Sequence, residues 1–211
     1  MAVARYFLAM AQGVARGLLF WRKPQRLDDV ARLSAFCATR SAFIAQSNLY
    51  GYLRARAGLQ HFTLFTDKDF VALLRPARSR LVMVCLEDLT LYGAAAVFEK
   101  TPDAQKAAAL ASEIFSVART HLADDSLSAA EYDAIQQAFL AKLPMVDWTS
   151  RLSPQAFEAS TQALIELAPI VDELKSHDTE IVCNSMRFKW LGVRAELAQR
   201  LDAPTLLAGL A

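Results

Sequence analysis

Apolar residues recur at the α-helical period along most of this 211-residue chain, so the pattern predicts an all-α protein. We expect an orthogonal or irregular multi-helix bundle of about six to seven helices. The longest helices are predicted near residues 27–57, 67–99 and 170–202.

Shorter helices are predicted where start signals occur between these long ones. Thr101-Pro102-Asp103 has the usual arrangement of cap, first-position proline and first-turn acid, and Ser128-Ala129-Ala130-Glu131 forms a capping box. Another helix is expected to open at Ser153-Pro154. We expect an apolar loop over residues 59–66 and a short tail after residue 202.

The most apolar stretch of the chain, Leu81–Phe98, contains Glu87 and Asp88. It is long enough to span a bilayer. However, each acid near the centre costs about 2.5–3.5 kcal/mol on insertion scales and each apolar residue returns about 0.3–0.6 kcal/mol, so the balance is near zero. We therefore predict a buried core helix. Its two acids are expected either to form a structural ion pair or to lie on an exposed side of the helix, with a ligand-binding carboxylate as the alternative. The candidate partners are Arg54, Arg56, Arg75, Arg78 and Arg80.

The composition is that of a globular helical protein. Hydrophobic residues make up 54% of the chain, and seven glycines and seven prolines are too few for a disordered chain or a turn-rich β-fold. The length fits a single domain over residues 1–211. Because the formal net charge is only +1, no global field would attract nucleic acid, and we expect no nucleic-acid partner.

Basic residues are concentrated at the start of the chain, where residues 1–26 contain five basic and no acidic side chains. We predict an amphipathic basic helix over residues 1–22, with a position peripheral to the core left open. Its wide apolar face needs a cover, which its own domain, a partner protein, a second copy or the anionic inner membrane surface would provide. The expected contact residues are Arg5, Arg16, Phe20, Trp21, Arg22 and Lys23.

The three cysteines, Cys37, Cys85 and Cys183, lie far apart in apolar helical stretches. This pattern predicts reduced, buried thiols and a cytoplasmic protein, with peripheral attachment to the inner membrane left open. The chain contains no Gly-x-Ser-x-Gly, Ser-x-x-Lys, His-Glu-x-x-His or phosphate-binding glycine motif. We therefore expect no cofactor and no metal.

Side chains suited to catalysis are most concentrated on the last predicted helix. Glu173, His177, Glu180, Asn184 and Arg187 fall within an arc of about 80° at helical geometry. A histidine between two carboxylates is typical of a general base or a metal ligand. A solvated stripe held together by pairs three and four residues apart explains the same pattern.

Ser47 is the other weak catalytic candidate, in the polar stretch Gln46–Tyr52 of an otherwise apolar helix. It could act as a nucleophile, although hydrogen bonding between helices is the usual role of such groups.

Two stretches of the chain carry a resemblance to a known family: residues 43–53 with 56–58, and residues 168–175 with 180–182, 184–185 and 187–190. They resemble a family of uncharacterised helical proteins from alphaproteobacteria, to which automated labels often give the name esterase. The resemblance covers most of the chain and implies a helical fold and an esterase activity. It carries no catalytic residues over to this sequence. The sequence departs from the family at Pro76-Ala77-Arg78, where the family's third helix begins with aromatic residues.

The sequence favours a non-enzymatic helical protein that binds a partner protein or the inner membrane surface through residues 5–26. The alternative is a hydrolase, specifically an esterase, with a non-standard helical active site. That site would use His177 with Glu173 or Glu180, and Ser47 more remotely. It requires a pocket that brings a nucleophile within hydrogen-bond reach of His177.

Overall fold

Three long helices form the frame of the protein. The computed structural model describes residues 25–210, apart from the side chain of Pro154. The bounds of the three long helices lie within three residues of the predicted ones. The helices are α1 Val30–Ala57, α2 His61–Leu64, α3 Lys68–Val97, α4 Ala104–Leu122, α5 Ala129–Lys142, α6 Glu158–Leu167, α7 Asp172–Arg200 and α8 Ala203–Ala208.

Local signals in the sequence fix most helix ends. The Asp29 carboxylate accepts the Arg32 backbone N–H at 2.7 Å and starts α1. Gly58, with φ of 54°, ends the same helix in a conformation that glycine adopts readily. The predicted capping box of α5 is formed by Ser128 and Glu131. These starts and stops are therefore encoded within a few residues of each end.

Two segments predicted to be irregular are helical. Residues 59–66 contain a short 3-10 helix, Gly58–Gln60, followed by the single turn of α2. The tail after residue 202 forms α8, because Asp202 caps its start and Leu206 is buried against the core. The helix predicted to open at Ser153 begins instead with the 3-10 turn Pro154–Phe157 and becomes α-helical at Glu158.

The central element is α3, which packs against α1, α4 and α6, whereas α7 covers α6 and α1 from outside. Within residues 25–210 there is no β-strand, only an isolated bridge between Leu27 and Leu201. The predicted all-α multi-helix bundle is confirmed. In the part of the chain that the structure describes, no helix combines the length and the apolar character needed to cross a membrane.

The two acids inside the apolar stretch of α3 have different surroundings. Glu87 accepts a hydrogen bond from the Lys142 Nζ at 2.8 Å near the surface. Asp88 is buried, and one of its carboxylate oxygens accepts the Ser160 backbone N–H at 2.8 Å. Glu87 is therefore in an ion pair, as one of the expectations had it, but none of the candidate arginines is the hydrogen-bonding partner of either acid. Four of those arginines pair elsewhere, as Arg56–Asp178, Arg75–Asp125, Arg78–Asp124 and Arg80–Glu131.

The predicted buried thiols are confirmed, because Cys37, Cys85 and Cys183 are all buried and free of disulfide bonds. Burial raises the pKa of the Cys37 thiol to about 12 and also raises the pKa of Cys85. Both thiols are therefore held in the unreactive protonated form at neutral pH.

Candidate functional site

Four large apolar side chains of α7 face the solvent. The exposed fractions are 44% for Leu174, 71% for Ile181, 75% for Phe188 and 55% for Leu191. The first three are spaced by seven residues, or two helical turns, so they lie on one face, and Leu191 follows one turn after Phe188. These four residues are referred to below as the α7 stripe.

The opposite face of α7 fixes the rotation of the helix. Trp190, only 1% exposed, stacks on Phe157 with ring centroids 4.2 Å apart, and its indole N–H donates to the Ser160 hydroxyl at 3.2 Å. The other buried side chains of α7 are Cys183, Met186, Val193 and Leu197. Because this second apolar face is buried, the α7 stripe is left on the outer side.

The seam between α1 and α7 is polar and antiparallel. Arg40 donates to both carboxylate oxygens of Glu196, at 2.7 and 2.6 Å. Two turns further along α1, the Ser47 hydroxyl lies 3.3 Å from the Lys189 Nζ. Arg56 closes the far end of the seam, where its guanidinium donates to the Leu174 carbonyl at 2.9 Å.

A shallow groove of about 340 Å³ opens on this seam next to the α7 stripe. Phe43 of α1 lines it and is 55% exposed, so an exposed aromatic ring lies on the α1 side of the groove. Nothing lies within 4 Å of the position that a Cβ atom would occupy at Gly192, which leaves the α7 side of the groove open. The lining residues are Arg40, Phe43, Lys189, Gly192, Val193 and Glu196.

Two charged side chains beside the groove, Glu196 and Lys189, have pKa values shifted by their surroundings. Burial acts to raise the pKa of Glu196, but hydrogen bonds from Arg40 and Arg200 outweigh it and hold the pKa below the usual value. Burial lowers the pKa of Lys189. The groove therefore has one ionised acid that is paired with two arginines, and one lysine whose pKa is lowered by burial.

The candidate catalytic residues of α7 point away from any cleft. Glu173, His177 and Glu180 are all exposed, and the His177 Nδ1 lies 2.8 Å from the Glu173 carbonyl of its own helix. The hydroxyl within hydrogen-bond distance of this nitrogen is that of its chain neighbour Ser176, at 3.3 Å. Arg187 pairs with Glu158 of α6, at 2.9 and 3.0 Å, rather than with a group at His177.

The structure does not bring Ser47 and His177 together. Ser47 lies beside Lys189, and the twelve residues from His177 to Lys189 correspond to about 18 Å along the helix. Within residues 25–210, no three His, Cys, Asp or Glu side chains gather into a set that could hold a metal ion. What is gathered on α7 is apolar surface bordered by charge.

Comparisons with protein-family models, with curated proteins and with solved structures find no match to this chain. The resemblance to the alphaproteobacterial helical family therefore stays a prediction. So does the contact role of residues 1–22, because Arg5, Arg16, Phe20, Trp21, Arg22 and Lys23 lie outside the described residues.

Sequence reasoning missed the α7 stripe, although its signal is present in the chain. Leu174, Ile181 and Phe188 recur every seven residues, which is the spacing of a helix that packs along another helix. The signal was obscured because α7 has a second apolar face, and both faces fit the helical period equally well.

Proposed function

We propose that this protein works by binding, without catalysis, and that the α7 stripe receives an α-helical segment of a partner protein. The observation that carries the proposal is the exposure of four large apolar side chains on one face of one helix. Such gathered apolar surface is typical of interaction sites in soluble domains. The seven-residue spacing favours a helical partner, which would place its own apolar side chains between those of the stripe.

The charges around the stripe indicate what else the partner would carry. Glu173 and Glu180 are exposed on the polar side of the stripe, near the start of α7. A basic residue on the partner helix would meet them there. On the other side, the groove beside Phe43 would take a large apolar side chain as an anchor, since central aromatic anchors often supply most of the binding energy.

The proposal is tested with the double variant I181E/F188E. We expect it to lose the proteins that the wild type captures by cross-linking in its native cells, and to bind a purified captured protein with a dissociation constant raised about 30-fold or more, because two anchor residues would be removed. The matched control is Q137E/A138E, which adds the same charge at two exposed positions on α5. Equal capture and equal affinity for both variants would contradict the proposal.

The inner membrane surface, the other binding target predicted from the sequence, is tested with the same proteins. Sedimentation with anionic vesicles measures this binding directly. Vesicle binding that depends on the stripe, together with no stripe-dependent protein partner, would favour the membrane instead.

A hydrolase is the second candidate, and a different pair of residues from the one predicted favours it. The Lys189 Nζ lies 3.3 Å from the Ser47 hydroxyl, burial lowers the pKa of that lysine, and serine–lysine pairs act as nucleophile and base in some hydrolases. It ranks second because Ser47 lies inside α1, where backbone N–H groups already bond within the helix and cannot serve an oxyanion. Labelling by a serine-reactive fluorophosphonate that S47A and K189M both abolish would support it, and an unlabelled wild type would count against it.

A further inference from the structure

We propose that residues 1–22 of the same chain occupy the α7 stripe, so that the protein covers its own docking surface and a partner has to displace this segment. The inference rests on the proposed function, because it names the regulation of the same surface. Three observations support it: where the chain enters the described structure, how far residues 1–22 reach, and what chemistry they carry.

The chain enters the described structure at the carboxyl end of α7. The Leu27 N–H donates to the Arg200 carbonyl at 2.9 Å, and the Asp202 N–H donates to the Leu27 carbonyl at 3.1 Å. The Arg200 side chain in turn donates to the Gln25 carbonyl at 2.9 Å. These bonds place the end of the preceding segment next to the last turn of α7.

The length of the segment matches the distance it has to cover. At 1.5 Å per residue, the 26 residues from Arg200 back to Leu174 span about 39 Å. The helix predicted over residues 3–21 would span about 28 Å, and residues 22–24 in extended form add about 10 Å. A helix running parallel to α7, with its carboxyl end at this anchor, would therefore reach the whole α7 stripe.

The chemistry of the segment is complementary to that surface. Its apolar residues cover most of the predicted helix and need a cover of their own. Its charged residues are all basic, whereas Glu173 and Glu180 make no ion pair within the described residues. In this parallel arrangement Arg5 comes to the end of α7 that carries these acids. The apolar residues are Phe7, Leu8, Met10, Val14, Leu18 and Leu19.

Small residues favour a close approach of the two helices. Gly13 and Gly17 are spaced by one turn, which lets another helix approach their backbone. The space beside Gly192 of α7 is also open, so glycines on both helices would leave room for the two backbones to approach. A second copy, a partner helix and a bilayer remain the competing occupants, and the experiment below separates them.

The test uses the full-length protein with a photo-reactive benzoylphenylalanine in place of Phe188. Irradiation of the monomer should join position 188 to a peptide within residues 1–22, as mapped by mass spectrometry. The charge reversal E173K/E180K, combined with the probe, should lower the yield of this product. The matched control carries the probe at Gln137, which is exposed on α5, and there the product should be lost.

Three results would overturn the inference. They are a product that joins two copies of the chain, a probe at position 188 that reacts with nothing in the chain, and equal yields from positions 188 and 137. Circular dichroism of each probe-bearing protein checks that it is folded. A failure here leaves the proposed function standing if Q137E/A138E still captures the partner and I181E/F188E does not. If no partner is captured but the intramolecular product forms, residues 1–22 do cover the α7 stripe and the proposed binding of a partner helix fails.

Discussion

Two helices of nearly equal length, α3 with 30 residues and α7 with 29, differ in which side chains they bury. In α3 a carboxylate, Asp88, is buried among apolar neighbours. In α7 an aromatic ring, Phe188, is three-quarters exposed to water. Each arrangement is unfavourable by itself, since it removes an acid from water or leaves an apolar surface in it.

The difference comes from the position of each helix in the bundle. Because α1, α4 and α6 surround α3, almost every residue from Leu81 to Phe98 is buried whatever its polarity. In contrast, α7 is covered by neighbours on one side only, so its second apolar face has nothing to pack on within the described residues. The centre of the bundle thus buries even polar side chains, whereas its outer helix leaves large apolar side chains exposed.

The largest change in stability is expected from removing a side chain on the buried face of α7. Trp190→Ala removes a ring stacked on Phe157 and should lower the free energy of unfolding by about 3–5 kcal/mol. Phe188→Ala, two residues away on the other face, should lower it much less, by about 1 kcal/mol, because only the proposed cover by residues 1–22 would contact this ring. Urea denaturation of both variants measures the contrast. Similar losses for the two would show that the exposed face is packed as tightly as the buried one.

The buried acid of α3 should make stability depend on pH. Burial raises the pKa of Asp88 from 3.8 to about 7, against hydrogen bonds from Ser160 that act to lower it. Since the folded protein keeps a proton that the unfolded chain has lost, stability is greatest below about pH 4 for this group and falls as the pH rises to 7, by at most about 1.4 kcal/mol per unit. Asp88→Asn should remove this slope and raise stability at pH 8.

Thermal unfolding between pH 4 and pH 8 tests the assignment to Asp88. Glu87→Gln is the matched control, because it neutralises the adjacent acid, whose partner Lys142 lies near the surface. A slope that disappears in the Glu87 variant and persists in the Asp88 variant would place the titrating group elsewhere.

The smallest change in stability is expected from a substitution on the outer side of α7. Gly192→Ala adds a methyl group within a helix where no described atom lies within 4 Å, so helix propensity alone would stabilise the protein by about 0.5–1 kcal/mol, and the proposed cover by residues 1–22 should cancel part or all of this gain. Gly51→Ala, also open and within α1, is the parallel variant. Chemical denaturation of the full-length proteins gives both values. A gain at Gly192 equal to that at Gly51 would count against the proposed cover by residues 1–22.

The fold was predictable to the extent that its signals are local. The caps at Asp29 and Ser128 and the glycine at position 58 mark helix ends within a few residues of sequence. The turn at residues 203–208 was missed because its helical form depends on Leu206 finding a place in the core. The partners of Glu87 and Asp88 were also missed, since each lies more than fifty residues away along the chain.

The candidate site was only half predictable for the same reason. Sequence periodicity drew attention to α7 through His177 and its acidic neighbours, which turn out to border the site. The residues at its centre, such as Ile181 and Phe188, look like core positions until the packing of Trp190 shows which face is turned inward.

The sequence by itself determined an all-α protein, the bounds of its three long helices and the burial of its three thiols, because hydrophobic period and capping act over one or two turns. The tertiary structure alone decided that Asp88 is buried, that Ser47 meets Lys189 rather than His177, and that one apolar face of α7 is left in solvent. Those outcomes depend on which helices become neighbours, and a helical period states only that a face is apolar, not what will cover it.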